Sequence, residues 1–391
     1  MPAVSRLLIL SASYGEGHQQ AAVAVQGAMS AISPETDIQI IDYIRAVHPM
    51  LDSVAKYCYL TSVRYAPALY GLFYRGTMQI PPTSLIQRQL NSIGLHALER
   101  QIRTYQPDVI LSTFPTPAGV ASFLKEQGRI QVPLATAITD HAVHSQWIHP
   151  HTDLYFVGSQ RVKNGLVRRG IPANRVKVTG IPIRPAFALS YDREALAQKY
   201  GLDSSIPTVL IMGGAYGVLG DIYAICDELF HSKYPLQVLV VTGKNERMKV
   251  QLDELARDAS TSVHVFGFVE AIHELMHLSD VMLTKAGGLT ISEALAVQLP
   301  MVLYRPIPGQ EVQNAAFLCK SGAALLARNR EEVVHHLYDL LIHNPGRRLL
   351  MRQRTARIRK LHAAAEIVDG LVTLARRPSA AGYRAASEQG S

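Results

Sequence analysis

"DVMLTKAGGLTISEALAVQLPMVLY", residues 280–304, reads as a strand, a glycine turn, a helix and a second strand. Its two apolar runs are strand-sized, and strand–helix–strand units of this kind build parallel sheets covered on both faces. Gly287 and Gly288 let the backbone come close to a ligand. The helix starting near Thr290 offers free N–H groups and the positive end of a dipole, a ready site for a pyrophosphate. Thr290 and Glu293 also fit a Thr-x-x-Glu capping box, which would give Glu293 a purely structural role. A carboxylate one turn into a phosphate-binding helix can equally accept two hydrogen bonds from ribose hydroxyls. Both readings stand at this level.

Working outward, the same theme recurs. "TVLIMGG", "QVLVVTG" and "VHVFG" precede the quoted unit. In the first half "RLLIL", "IQIID", "DVILST", "PLATAIT", "DLYFVGS" and "RVKVTG" alternate with helical patterns. Most of these runs end in Gly, Thr or Ser and feed a turn into a helix, a doubly wound pattern occurring twice. The expected fold class is α/β with two doubly wound, Rossmann-like domains. Residues 180–207 hold the boundary, since Pro182 and Pro185 interrupt regular structure and Pro207 precedes a new strand. From about Ser379 the tail is small and polar, and is expected to fray.

A length of 391 residues favours two domains over one core, and 48% hydrophobic with 18% charged residues excludes a disordered chain. No apolar run reaches the roughly 18 residues of a membrane-spanning helix, and no secretory leader is read, so a cytoplasmic protein is expected. Cys58, Cys226 and Cys319 show no CxxC spacing and read as free thiols. The formal charge of +8 suggests an anionic partner without choosing among lipid head groups, nucleotides and nucleic acid.

Four further stretches carry chemistry. "SASYGEGHQQAA", residues 11–22, lacks the third glycine of a dinucleotide fingerprint, with Gln20 in its place. His18 stands at the first turn of a helix, where the dipole disfavours imidazolium. It reads either as a general base or as a locally bonded ring. His141, His144, His149 and His151 cluster without a strong metal-ligand spacing. "YRPIPGQEVQN", residues 304–314, brings Gln310, Glu311 and Asn314 beside the glycine turn, amide and carboxylate groups that suit sugar hydroxyls. "GGAYGVLGD", with Gly213 and Gly214, adds another glycine turn at the same sheet edge. Residues 43–98 are too long for an ordinary crossover and mix Tyr43, Tyr57, Tyr59, Tyr65, Tyr70 and Tyr74 with Arg45, Lys56, Arg64, Arg75 and Arg88 against Asp52 alone. Such a mixture suits a membrane interface, would be accepted by nucleic acid, and also suits helices that pack their rings inward.

Taken in order, "SASYGEGHQQAA", "STFPTPAGV", "TDHAVHSQWIHPHTDLYFVGS", "VTGIPIRPAF", "GGAYG", "GFVEAIHELM", "TKAGGLTISEALA" and "PGQEVQN" resemble the UDP-sugar-dependent lipid glycosyltransferases. That family includes monogalactosyldiacylglycerol synthases and processive diacylglycerol glucosyltransferases. The peptidoglycan lipid-intermediate N-acetylglucosaminyltransferase is a more distant relative. The resemblance runs from about Leu7 to about Leu374. It implies a GT-B fold, two Rossmann-like domains facing a cleft. Residues 1–185 would form an acceptor and membrane-facing domain, 186–206 a linker and 207–365 a UDP-sugar domain. Residues 366–378 would be a helix returning to the first domain, and 379–391 a flexible tail. By motif match, His18 next to Gly17 would be the base at the acceptor hydroxyl, and Asp140 would orient it or line the acceptor site. Gly287, Gly288 and Leu289 would lie by the diphosphate and Glu293 would hold the ribose. Gln310 and Glu311 would touch the donor sugar with Asn314 close by, and Phe268, Val269 and Ile272 would flank the uracil. Trp147 would face lipid, and residues 43–98, with Tyr65, Tyr70, Tyr74 and Arg75, would meet the membrane. The first turn is less glycine-rich than is common in the family, with Glu16 beside the presumed base.

The reading that follows is an inverting transfer of a hexose from a UDP-sugar to a membrane lipid, most simply diacylglycerol. UDP-sugar is a substrate, no cofactor or metal is required, and the partners are that donor, the lipid and an anionic membrane surface, not nucleic acid. The protein would sit peripherally on the inner face of the cell membrane. Transfer of N-acetylglucosamine to another lipid-linked acceptor, a UDP-sugar epimerase and a non-catalytic nucleotide-sugar or nucleic-acid binder are the alternatives.

Overall fold

The structure, a computed structural model, describes residues 4–13, 16–47, 67–78, 94–214 and 219–376, together with residues 80, 84, 87, 89 and 92. The chain divides into two compact units, Met1–Pro185 with His362–Ser391, and Ala186–Leu361.

In the first unit six strands form one parallel sheet in the order β2-β1-β3-β4-β5-β6. They are β1 (Arg6–Ser11), β2 (Asp37–Asp42), β3 (Val109–Ser112), β4 (Leu134–Ala137), β5 (Leu154–Val157) and β6 (Val176–Val178). Leu7 pairs with Ile38 on one side and Val109 on the other. The central strand is apolar at consecutive positions because both faces are covered. Leu7 and Ile9 pack with the helices Gly17–Ile32 and Ala363–Ala375, while Leu8 and Leu10 pack with Leu95–Tyr105 and Pro115–Glu126. The C-terminal helix Ala363–Ala375 is thus part of the first unit's core. Gly370 lets it close on Phe156, since a Cβ there would fall 2.5 Å from the ring.

The second unit repeats the plan with β7 (Thr208–Met212), β8 (Gln237–Val241), β9 (Ser262–Phe266), β10 (Val281–Thr284), β11 (Met301–Tyr304) and β12 (Ala324–Ala327), ordered β12-β11-β10-β7-β8-β9 and all parallel. Residues 186–206, expected as a linker, belong to this unit. Asp192 caps the helix Arg193–Tyr200, Arg193 pairs with Asp280 at 3.0 Å, and Lys199 and Tyr200 both reach Glu274 at 2.6 Å. Those ion pairs and that cap make the stretch a packed element.

The strand orders fix where ligands can sit. The order in which parallel strands are added reverses once in each sheet, at β1/β3 in the first unit and at β7/β10 in the second, and the crevice outside the carboxyl ends of such strands is the usual ligand site.

Candidate functional site

His18 follows β1, as second residue of the helix Gly17–Ile32, and Thr113 follows β3, so the first switch point brings them together. His18 Nδ1 lies 2.9 Å from the carbonyl oxygen of Thr113 and 2.9 Å from Oγ1 of Thr139, just past β4. A carbonyl can only accept, so Nδ1 carries the proton and Nε2 is the basic nitrogen. Thr113 is itself anchored, its N–H donating to Leu10 O at 2.9 Å and its hydroxyl lying 3.0 Å from both His18 O and Ser11 Oγ. The rings of Phe114 and Trp147 stand 5.0 and 6.1 Å from the imidazole. Burial among these groups lowers the His18 pKa to about 4, and the hydrogen bond to Thr113 opposes that only in part. The ring is neutral at pH 7, as a base must be. Nearby, the Ser13 hydroxyl donates to Asp42 and ties the ends of β1 and β2.

Several expectations for this unit change. The groups at Nδ1 are Thr113 and Thr139, while Asp140, expected to orient the base or line the acceptor site, directly follows Thr139 and is half-buried, a position that leaves its expected place at the acceptor site unchanged. Trp147, expected to face lipid, is 5% exposed and packs with Ile138, Ile148 and Tyr155, because its ring fills the space between the His18 side and β5. Tyr74, in the helix Pro67–Thr77, is half-buried with its ring 4.4 Å from that of His144. His144 Nε2 donates to Tyr74 O at 3.1 Å, and Ser145 Oγ donates to Thr77 O at 2.9 Å. On the same helix Leu69, Leu72 and Arg75 are exposed. Tyr65 and the side chain of Tyr70 lie outside the described residues. The clustered histidines serve separate partners. His141 packs under Gly158, and His149 Nε2 donates to Pro115 O at 3.2 Å. Among the described residues no group of three His, Cys, Asp or Glu could hold a metal ion.

In the second unit Gly213 and Gly214 end β7, with Gly214 at φ +76°, and residues 215–218 lie outside the described set. Across the switch point the helix Gly288–Ala296 starts one residue after its N-cap, Gly287, which has no side chain to cap with. Backbone N–H groups of Gly288, Leu289 and Thr290 therefore form an uncapped helix start. Thr290 is the third helical residue and not the N-cap, so the capping box does not form. Glu293 lies buried within the helix, and its carboxylate needs a reason other than capping.

Lys285, which the sequence reading passed over, sits between the two glycine turns. A Cβ on Gly214 would lie 3.4 Å from its Cε, and its Nζ is 3.0 Å from Oε1 of Glu311. Glu311, expected at the donor sugar, is 4% exposed and has both oxygens engaged, Oε2 accepting from Ile307 N–H at 2.9 Å. Asn314 is fully buried and its Nδ2 donates to Ala286 O at 3.0 Å, holding the glycine turn from beneath, so it has no surface left for a sugar. Gln310 remains partly exposed at the start of the helix Gln310–Ser321. Phe268, past β9, is 56% exposed with Lys244 Nζ 5.9 Å from its ring, a face open to stacking; Val269 is half-buried and Ile272 buried. Asp221 and Arg305 both adopt left-handed backbone, and Asp221 accepts from Tyr304 Oη at 2.5 Å and from Arg305 at 2.9 Å. This strained pair clamps the far end of the first glycine turn to β11.

Both units match known proteins. Residues 18–183 match the monogalactosyldiacylglycerol (MGDG) synthase family and residues 208–368 the glycosyltransferase family 28 C-terminal domain. A protein of Bacillus mycoides named processive diacylglycerol beta-glucosyltransferase is 38% identical over 367 residues, 94% of this chain and 93% of that one. One of the same name from Bacillus cytotoxicus is 38% identical over 365 residues, covering 93% and 92%. Among solved structures, MurG of Acinetobacter baumannii matches with TM-score 0.60 at 15% identity, over 94% of this chain and 99% of that one. The MnaA–UDP structure from S. aureus matches with TM-score 0.61 at 17% identity, over 96% and 99%. These structural likenesses concern the fold, two doubly wound α/β units of the GT-B class. With both halves matched in order and relatives at this identity along nearly its whole length, the chain belongs to the family of MGDG synthases and processive diacylglycerol glucosyltransferases within glycosyltransferase family 28.

Proposed function

We propose that the chain transfers glucose from UDP-glucose to the hydroxyl of diacylglycerol, with inversion, giving a β-glucosyl lipid. The observation that carries this is the His18 imidazole, neutral and with its Nδ1 proton committed to Thr113. The Bacillus relatives' name supports glucose and diacylglycerol over other hexoses and acceptors.

His18 Nε2 takes the proton from the lipid hydroxyl as its oxygen bonds to the anomeric carbon. The bond from that carbon to the diphosphate oxygen breaks on the opposite face, and the electron pair leaves with UDP. Negative charge then grows on the diphosphate. The N–H groups at the start of Gly288–Ala296 and the Lys285 ammonium meet it with fixed dipoles and a positive charge. Glu293 holds the ribose and Phe268 stacks on the uracil. No cofactor enters this scheme. Exposed Leu69, Leu72 and Arg75 on the helix Pro67–Thr77 support a peripheral seat on an anionic membrane, the inner face of the cell membrane.

The test is to offer purified protein a panel of UDP-sugars with diacylglycerol in anionic vesicles and to weigh the lipid product. A lipid heavier by one hexose, formed best from UDP-glucose, is expected. An isomerised UDP-sugar with no lipid product would replace this reading with an epimerase.

A further inference from the structure

The helix Pro345–Ile358 of the second unit ends at Arg359, whose backbone is extended, and Lys360 and Leu361 follow. Residues 345–361 hold seven Arg and Lys and no Asp or Glu. One face is anchored. Met351 and Thr355 are buried, and the helix packs on Gly288–Ala296, Gln310–Ser321 and residues 339–343. Arg347 pairs with Asp339 at 2.7 Å, and Arg348 lies 3.8 Å from Asp280. The other face is different. Leu349 and Leu350 are 57% and 45% exposed, and Arg352, Arg354, Arg357 and Lys360 are exposed with no ion pair among the described residues.

A basic face alone would be an ordinary solvated surface. Here the acids that normally intersperse such a surface are missing from the whole stretch, and two adjacent leucines stand among the cations. Cations attract an anionic bilayer while leucines enter the boundary between head groups and acyl chains. A single-stranded nucleic-acid surface would call instead for aromatic rings to stack on bases, and this helix carries none. A duplex would be met through its phosphates alone and would leave the two exposed leucines without a role. We propose that the exposed face of Pro345–Ile358 and the residues just after it dock the donor-binding unit onto an anionic lipid surface. The choice of a bilayer rests on the proposed function, but docking is measured without donor or acceptor, so the two fail separately.

The experiment sediments the full chain with phosphatidylglycerol vesicles and with phosphatidylcholine vesicles at low and high salt. Two variants are compared with the parent, R352Q/R357Q/K360Q and L349S/L350S. The charge variant should partition into phosphatidylglycerol vesicles roughly tenfold more weakly at low salt, a gap that narrows at high salt. The leucine variant should lose several-fold at either salt concentration. Partition equal to the parent's in either variant overturns the proposal. So does a charge variant that keeps vesicle binding and loses binding to a single-stranded RNA oligonucleotide. Melting temperature and UDP affinity should match the parent's; a fall in either overturns it too, because the face would then belong to the fold or to the donor site.

Discussion

A histidine whose Nδ1 proton is given to a carbonyl has one nitrogen left for chemistry, and its basicity is set by what surrounds it. For His18 those surroundings hold the pKa at about 4. The acid limb of kcat/KM should therefore lie near pH 4 and not near 6.5, when initial rates are read before any unfolding. His18→Ala should lower turnover by ~100-fold or more with UDP affinity unchanged by calorimetry; an unaltered kcat would remove this residue from the reaction. In the second unit, of the three residues expected at or beside the donor sugar, Gln310 stays partly exposed while Glu311 and Asn314 are buried beneath the glycine turn, and what those two support is Lys285 and the turn itself. Lys285→Met should reduce kcat by ~100-fold, the scale seen when one donor to a developing oxyanion is removed. Glu311→Gln keeps the shape but loses the charge that holds Lys285, so a smaller fall, roughly tenfold, is expected with the ranking of UDP-hexoses unchanged. A shift in that ranking would return Glu311 to the sugar. The sequence does contain a signal for Lys285, a cation directly between a strand and a glycine turn. It does not contain the pairing, because only the adjacency of β10 and β11 brings residue 311 to residue 285.

Elements were legible where burial on both faces forces consecutive apolar residues, and less so where it does not. Eleven of the twelve described strands coincide with runs picked out in the sequence. The eight central ones are apolar at consecutive positions because both faces are covered, and the edge strands β2, β6 and β9 show the alternation Ile-Gln-Ile, Val-Lys-Val and Val-His-Val. The twelfth, Ala324–Ala327, is an edge strand rich in alanine and leucine, residues that equally suit a helix. Its Leu326 is exposed, so the local pattern carried no strand signal. The start of Gly288–Ala296 was displaced for a similar reason. Thr290 looks like a cap, but a glycine turn can begin a helix without one when its N–H groups are left for a ligand. Helix packing also separates two glycines that look alike in sequence. Gly27 is exposed in mid-helix with nothing within 4 Å of a Cβ, whereas at Gly370 a Cβ would press on the buried Phe156 ring. Gly27→Ala should raise stability by about 0.5–1 kcal/mol through helix propensity. Gly370→Ala gains the same propensity but adds overpacking of about 1–3 kcal/mol, so its net effect should be a lower melting temperature. Equal shifts in calorimetric melts of the two variants would mean that the helix Ala363–Ala375 does not close on β5 as described.

At the scale of the molecule, the first unit holds four histidines, His18, His141, His144 and His149, neutral by burial. His18, His141 and His149 all have pKa values lowered by burial to about 4, and burial lowers His144 as well. In the unfolded chain the same rings titrate near 6.5. Above pH 6.5 neither state binds the proton and the folded state keeps its full stability. Below 6.5 the unfolded chain takes up protons that the folded chain refuses, so stability falls as pH drops from 6.5 towards 4. Each buried histidine steepens that fall by up to about 1.4 kcal/mol per pH unit. Carboxylates held below their usual range by partners, such as Glu99 beside Arg129 and Arg103, act lower, losing their contribution through the acid range beneath that window. The first unit should therefore soften between pH 6.5 and 5, well before carboxylate protonation explains it. Urea melts at pH 7.5, 6.0 and 5.0 measure this. His149→Gln keeps an N–H for the Pro115 carbonyl but cannot titrate. The variant should start less stable at pH 7.5 and lose less on the way to pH 5.0. If parent and variant decline with the same slope, the imidazole at 149 is not proton-linked to folding.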